Sequence, residues 1–183
     1  MTGDTERDIL NELRDKKARS KGFERLVMAY REPLYWHIRR LVVSHEDAED
    51  ILQETFINAY RYLDEFKGES RLFTWLYRIA TNESLQFLRR KKLPSTSYEE
   101  VSDTLIQTLY AENNTDEDEL LLKFQEAILR LPEKQRIVFN LRYYDELSYE
   151  EISRITGQSV ATLKTGYHYA AEKVKTYMIN SQI

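Results

Sequence analysis

Glu49, Asp50, Gln53, Glu54 and Asn58 fall on one side of a helical repeat. Carboxylates and amides gathered in this way can hold a cation, either a metal ion or the basic surface of another macromolecule. Further on, Arg71, Trp75, Arg78, Asn82 and Arg89 recur at helical spacing, and the run ends in Arg89-Arg90-Lys91-Lys92. Cations beside aromatic rings suit a single nucleic-acid strand, with phosphates on the cations and bases on the ring faces. A third group, Lys164, Thr165, His168 and Tyr169, lies in the first turns of the last helical pattern. A helix N-terminus presented in this way can enter a DNA major groove. The bland alternatives are a solvated acidic face for the first group and core packing for the aromatics of the second.

Catalysis finds little to work with. His37, His45 and His168 are far apart, with no nucleophile, Gly-rich phosphate loop or paired acid beside them. The chain has no Cys, which excludes disulfides and thiolate metal sites. His45 with Glu49 and Glu46 with Asp50 are i, i+4 pairs. A di-metal carboxylate bundle needs Glu-x-x-His on partner helices, and none is present. The expectation is a non-enzyme without metal or cofactor.

The elements that must position these groups follow from the apolar pattern. Phe23, Leu26, Val27, Tyr30, Leu34, Ile38, Leu41 and Val42 keep helical spacing, with Pro33 expected to interrupt or kink the helix. Ser44 offers an N-cap to a helix whose inward stripe is Ala48, Ile51, Leu52, Thr55, Phe56, Ala59 and Leu63. The loop Lys67-Gly68-Glu69-Ser70 follows, with Ser70 as the expected cap of a helix from about Arg71 to Arg90. In residues 1–20, Ile9, Leu10 and Leu13 suit a short helix that frays. Residues 93–116 read as a flexible linker with at most short helical turns around Val101–Tyr110. The stretch 93–119 holds eight acidic groups and no Lys or Arg, so it carries the acid excess behind the net charge of −4. Four more helices are expected in 117–183. Ser148 and Glu151 form a capping box for the third, Gly157 makes the turn, and Ser159 precedes the fourth.

With 183 residues, 42% hydrophobic and 32% charged, the chain suits two small helical domains. No apolar run approaches a membrane span and the N-terminus lacks a signal-peptide core, so a cytoplasmic protein without membrane insertion is expected.

The words DAEDILQETFINAY, LDEFKGES and FTWLYRIATN closely resemble the core-binding and promoter-melting segments of bacterial sigma factors of the extracytoplasmic-function (ECF) group. LPEKQRIVFNLRYYDELSYEEISRITGQSVATLK resembles that group's helix-turn-helix domain. The resemblance spans most of residues 22–178. It implies an all-α fold, with an extension at 1–20, a core-binding and minus-ten domain at 21–92, a linker at 93–116 and a minus-thirty-five domain at 117–183. It also implies a role in transcription initiation. Asp50, Gln53, Glu54 and Tyr60 would dock on the clamp helices of RNA polymerase core. Lys67, Gly68, Glu69, Ser70, Arg71, Trp75, Arg78, Asn82 and Arg89 would read and open the minus-ten element of promoter DNA. Lys164, Thr165, His168 and Tyr169 would read the minus-thirty-five element. An anti-sigma factor is a further implied partner. The chain departs from the family where Gly166, Tyr169 and Ala171 stand at positions commonly Arg. The competing readings are a sigma-like regulator that binds only a protein, and a plain helix-turn-helix repressor.

Overall fold

The computed structural model describes residues 3–68, 70–91, 98–112 and 119–181. Among them are nine α-helices and a single 3-10 turn, with no strand. The helices are α1 (Gly3–Arg14), α2 (Arg19–Val42), α3 (His45–Arg61), α4 (Leu72–Lys91), α5 (Tyr98–Glu112), α6 (Glu119–Leu129), α7 (Glu133–Tyr143), α8 (Tyr149–Thr156) and α9 (Val160–Asn180), with the 3-10 turn at Leu63–Glu65. The all-α architecture agrees with the apolar spacing. No helix among the described residues is long and apolar enough to cross a membrane.

In the first bundle α2 packs on α1, α3 and α4. Leu26, Leu34, Ile38 and Leu41 of α2 are wholly buried against Ala48 and Ala59 of α3 and Leu72, Leu76 and Ala80 of α4. α1 approaches α2 so closely at Gly22 that a Cβ there would lie 2.8 Å from Glu12 Cβ and 2.9 Å from the Leu13 nitrogen, so glycine is required. Ile9 and Leu13 are buried, so the N-terminal segment is part of the bundle rather than a frayed extension. Pro33 neither ends nor divides α2. It sits on the exposed side, where the helix can bend toward solvent, while Tyr30, Leu34, His37 and Ile38 keep both flanking turns buried.

In the second bundle α9 packs on α6, α7 and α8. Ala127, Ile128, Leu131, Phe139, Ala170 and Val174 form its own core. The Ser148–Glu151 capping box forms as the sequence indicates, and Gly157 turns the chain at φ 73°. The two bundles touch through α4 against α8 and α2 against α7. Leu141, Leu147, Ile152 and Ile155 belong to the same buried cluster as Leu72 and Leu76.

The segment read as a linker needs correction. Its middle is α5, one continuous helix of 15 residues where only short helical turns were expected. Ser102, Leu105, Ile106 and Leu109 give it one buried stripe. Tyr110 donates to Glu126 at 2.7 Å, and Glu112 pairs with Arg39 at 2.7 Å. Apolar i, i+3, i+4 spacing outweighs the acidic composition on which the linker reading rested. The remainder of that segment, 93–97 and 113–116, lies outside the described residues.

Candidate nucleic-acid and protein interfaces

α3 starts where Ser44 accepts the Asp47 N–H at 3.2 Å. Its apolar stripe faces inward, which leaves Asp50, Gln53 and Glu54 exposed on one side. Tyr60 is 51% exposed, with its ring edge-on to Phe23 at 4.9 Å. Behind this face runs a groove of about 600 Å³, floored by Phe23, Val27, Leu52 and Phe56. Acid on the rim and apolar carbon on the floor suit a partner that presents cations around an apolar side chain. Asp47 is not part of the acidic face, because Lys91 Nζ binds it at 2.7 Å.

Before α4, Lys67 and Gly68 are exposed and Gly68 takes φ 75°. Glu69 lies outside the described residues. The first turn of α4 is capped from a distance: the Leu72 N–H donates to Glu6 Oε1 of α1 at 2.6 Å, in place of the local cap expected from Ser70. Glu6 also lies 3.5 Å from Arg71 Nε. Arg71, Arg78, Asn82 and Arg89 form an exposed polar strip along α4. Trp75 is not available on that strip. It is 7% exposed and packs on Phe66 with ring centroids 5.0 Å apart. Its helical angle is that of the strip, but the Phe66 ring covers it there. Phe73 and Tyr77 pack with tilted rings, centroids 4.1 Å apart, also against the core. Burial first, and the Asp145 carboxylate second, hold the Tyr77 phenol far above its usual pKa, so it stays neutral.

α9 opens with Ser159 accepting the Thr162 N–H at 3.1 Å. Leu163, Ala170 and Val174 anchor it. Lys164, Thr165, His168 and Tyr169 all face solvent, as the sequence predicts. Lys164 Nζ stands 5.8 Å from the Tyr149 ring centroid. Among the described residues no donor set for catalysis converges at any of the three faces. They offer recognition of charge and shape.

The sequence reading missed Glu6 and a buried polar group joining His37, Arg40, Thr81 and Asp145. Their partners lie far apart in sequence, so no local spacing signals them.

The chain is similar to known proteins over most of its length. Residues 26–93 match the family Sigma-70 region 2, and residues 121–174 match Sigma-70, region 4. The ECF RNA polymerase sigma factor SigW of Bacillus subtilis (strain 168) is 38% identical over 169 residues, spanning 87% of this chain and 90% of the relative. The ECF RNA polymerase sigma-E factor of Escherichia coli (strain K12) is 34% identical over 170 residues, 88% of each. The fold is similar to that of CnrH, solved in complex with the cytosolic domain of CnrY, with TM-score 0.68, 20% identity and coverage of 97% of this chain and 99% of that one. It is also similar to the sigma factor RpoE solved with the anti-sigma factor NepR from Bartonella quintana, with TM-score 0.65, 22% identity and coverage of 86% and 97%. With region 2 and region 4 both matched, in that order, and relatives this similar across nearly the whole chain, the protein belongs to the ECF group of RNA polymerase sigma factors, which direct transcription initiation.

Proposed function

We propose that Asp50, Gln53, Glu54 and Tyr60 dock this chain on the clamp helices of RNA polymerase core. The loop Lys67-Gly68-Glu69-Ser70, with Arg71, Arg78, Asn82 and Arg89, holds and opens the minus-ten element. Lys164, Thr165, His168 and Tyr169 read the minus-thirty-five element. One observation carries the reading: the exposed acidic positions of α3 and the exposed cationic positions of α4 and α9 lie on different helices. Phosphate contacts on α4 and α9 fix register, while base edges and flipped bases carry sequence. In this reading Trp75 supports the loop through Phe66 rather than stacking on a base. The protein works in the cytoplasm and has no catalytic activity of its own. An anti-sigma factor is proposed as its regulator, since the sigma factor RpoE, of similar fold, was solved with one.

The test is transcription from a mapped promoter by purified core with and without the chain. Replacing Lys67-Gly68-Glu69-Ser70 by an unrelated flexible loop of equal length should spare core binding and abolish permanganate-reactive strand opening. Opening that persists would reduce the loop to a connector. Tight binding to duplex promoter without core, and no core-dependent transcripts, would point instead to a repressor.

A further inference from the structure

A cavity of about 470 Å³, the size of a small-molecule site, is lined by the end of α2, the first residue of α3 and parts of α5, α6 and α7. Val43, Leu109, Ile128 and Leu129 give it apolar walls. Tyr35, Trp36 and Tyr144 add aromatic rings, with Tyr35 and Trp36 edge to face at 5.2 Å between centroids.

Asn140 of α7 belongs to the same wall and is wholly buried. Its backbone carbonyl is in use, accepting the Tyr144 and Asp145 N–H groups at 3.0 and 3.3 Å. Its side-chain amide is not. Neither Oδ1 nor Nδ2 has a hydrogen-bond partner among the described residues. Arg40 Nε, also in the wall, is a second buried polar atom without one. A buried amide left unpaired is destabilising, so the pair of unused groups points to a molecule that satisfies them.

The charges around the cavity are already matched. Arg39 pairs with Glu112 at 2.7 Å, and Arg40 pairs with Asp145. His45 Nδ1 is 2.7 Å from the Tyr35 hydroxyl. Burial pushes the Tyr144 phenol up to about 12, so it is neutral near pH 7. An ionic ligand would meet no free countercharge in the wall and would lose its hydration without compensation.

We infer that this cavity binds an uncharged planar heterocycle that carries a cyclic amide on one edge. The ring N–H donates to Asn140 Oδ1 and the ring carbonyl accepts from Nδ2, the same two-point pairing that an Asn amide makes with a base edge. The ring faces pack against Tyr35, Trp36 and Tyr144. Water fills such a space less well, because the apolar walls leave each molecule few partners. The site does not rest on the polymerase or promoter assignments.

The test titrates the full-length chain with quinazolin-4-one, a bicyclic amide that is neutral near pH 7, and with its analogue methylated on the amide nitrogen. Calorimetry gives the affinity, and fluorescence of Trp36, 51% exposed, reports occupancy. Quinazolin-4-one should bind saturably at one equivalent, and the methylated analogue at least tenfold more weakly, since it leaves Asn140 Oδ1 unpaired. In Asn140→Leu that preference should disappear. The same variant without ligand should melt about 2–4 °C higher, because an unpaired amide has been replaced by an apolar group. Absence of saturable binding, or equal affinity of the two compounds for the wild-type chain, would overturn the proposal. So would a preference retained in Asn140→Leu. The compound pair on the wild-type chain decides the matter even if the variant fails to fold.

Discussion

Gly166→Ala separates the stability of α9 from its use. Gly166 is the seventh residue of a 21-residue helix, and a Cβ built there meets nothing within 4 Å. Its backbone is not in the left-handed region, so alanine is not strained. The helix-propensity difference, about 0.8–1.0 kcal/mol, should therefore appear with no steric offset. In a chain of this size, unfolding as one unit, that corresponds to roughly 2–4 °C in Tm. Circular dichroism melts and urea midpoints measure it. The same methyl group would stand beside Thr162 and Tyr169, one turn before and one turn after it on α9. In holoenzyme, affinity for the minus-thirty-five element should fall even though the helix is more stable, because the backbone can no longer approach DNA as closely. A loss of stability would refute the open-space reading of the position. A stabilised protein with unchanged promoter affinity would show that the glycine has no part in DNA approach.

Glu54→Lys should weaken competition for core while changing stability by no more than about 0.5 kcal/mol, as is usual at an exposed helix position; full competition would remove the acidic face from the interface. Lys164→Ala in holoenzyme should lower the salt slope of promoter binding by about 0.9, the loss of one phosphate contact, measured across a salt series. Glu6→Ala removes the cap of α4 and should cost about 0.5–2 kcal/mol by chemical denaturation; a change within error would mean the N-terminal helix does not hold α4. Acid should destabilise the second bundle through Glu126 and Glu151. Burial raises both carboxyls, but donation outweighs it, from Tyr177, Tyr110 and Arg130 onto Glu126 and from Ser148 onto Glu151, leaving both below the ordinary value of 4.5. A lowered folded pKa gives stability that is present above the unfolded value and lost as pH falls through the folded one. Urea midpoints should therefore drop below about pH 4.5 and do so less steeply in Glu126→Gln.

Local physics was legible and distant physics was not. Ser44, Ser148 and Ser159 cap helices because the cap is decided within three or four residues. The stripes of α2, α3 and α9 lie inward because apolar spacing alone places them there. Asp50, Gln53, Glu54, Lys164, Thr165 and His168 are exposed for the complementary reason. Trp75 could not be settled by spacing, since its angle is that of the exposed strip and Phe66, which precedes the loop, packs on it. Pro33 was read by its local cost, yet burial on both flanking turns carries α2 through it. The Leu72 cap and the Asp145 contacts were invisible because each joins residues that only the folded chain brings together.

The contact of Glu6 with Leu72 bears on the order in which the chain takes shape. Synthesis delivers α1 and α2 first, and the close approach at Gly22 lets them pair as a helical hairpin before α4 exists. When α4 leaves the ribosome, its first turn meets an acceptor already waiting on that hairpin. The beginning of the chain is thus a template for the helix assigned to the minus-ten element. A peptide fused ahead of Gly3 would be placed beside that helix's first turn, so affinity tags on this protein belong at the other end.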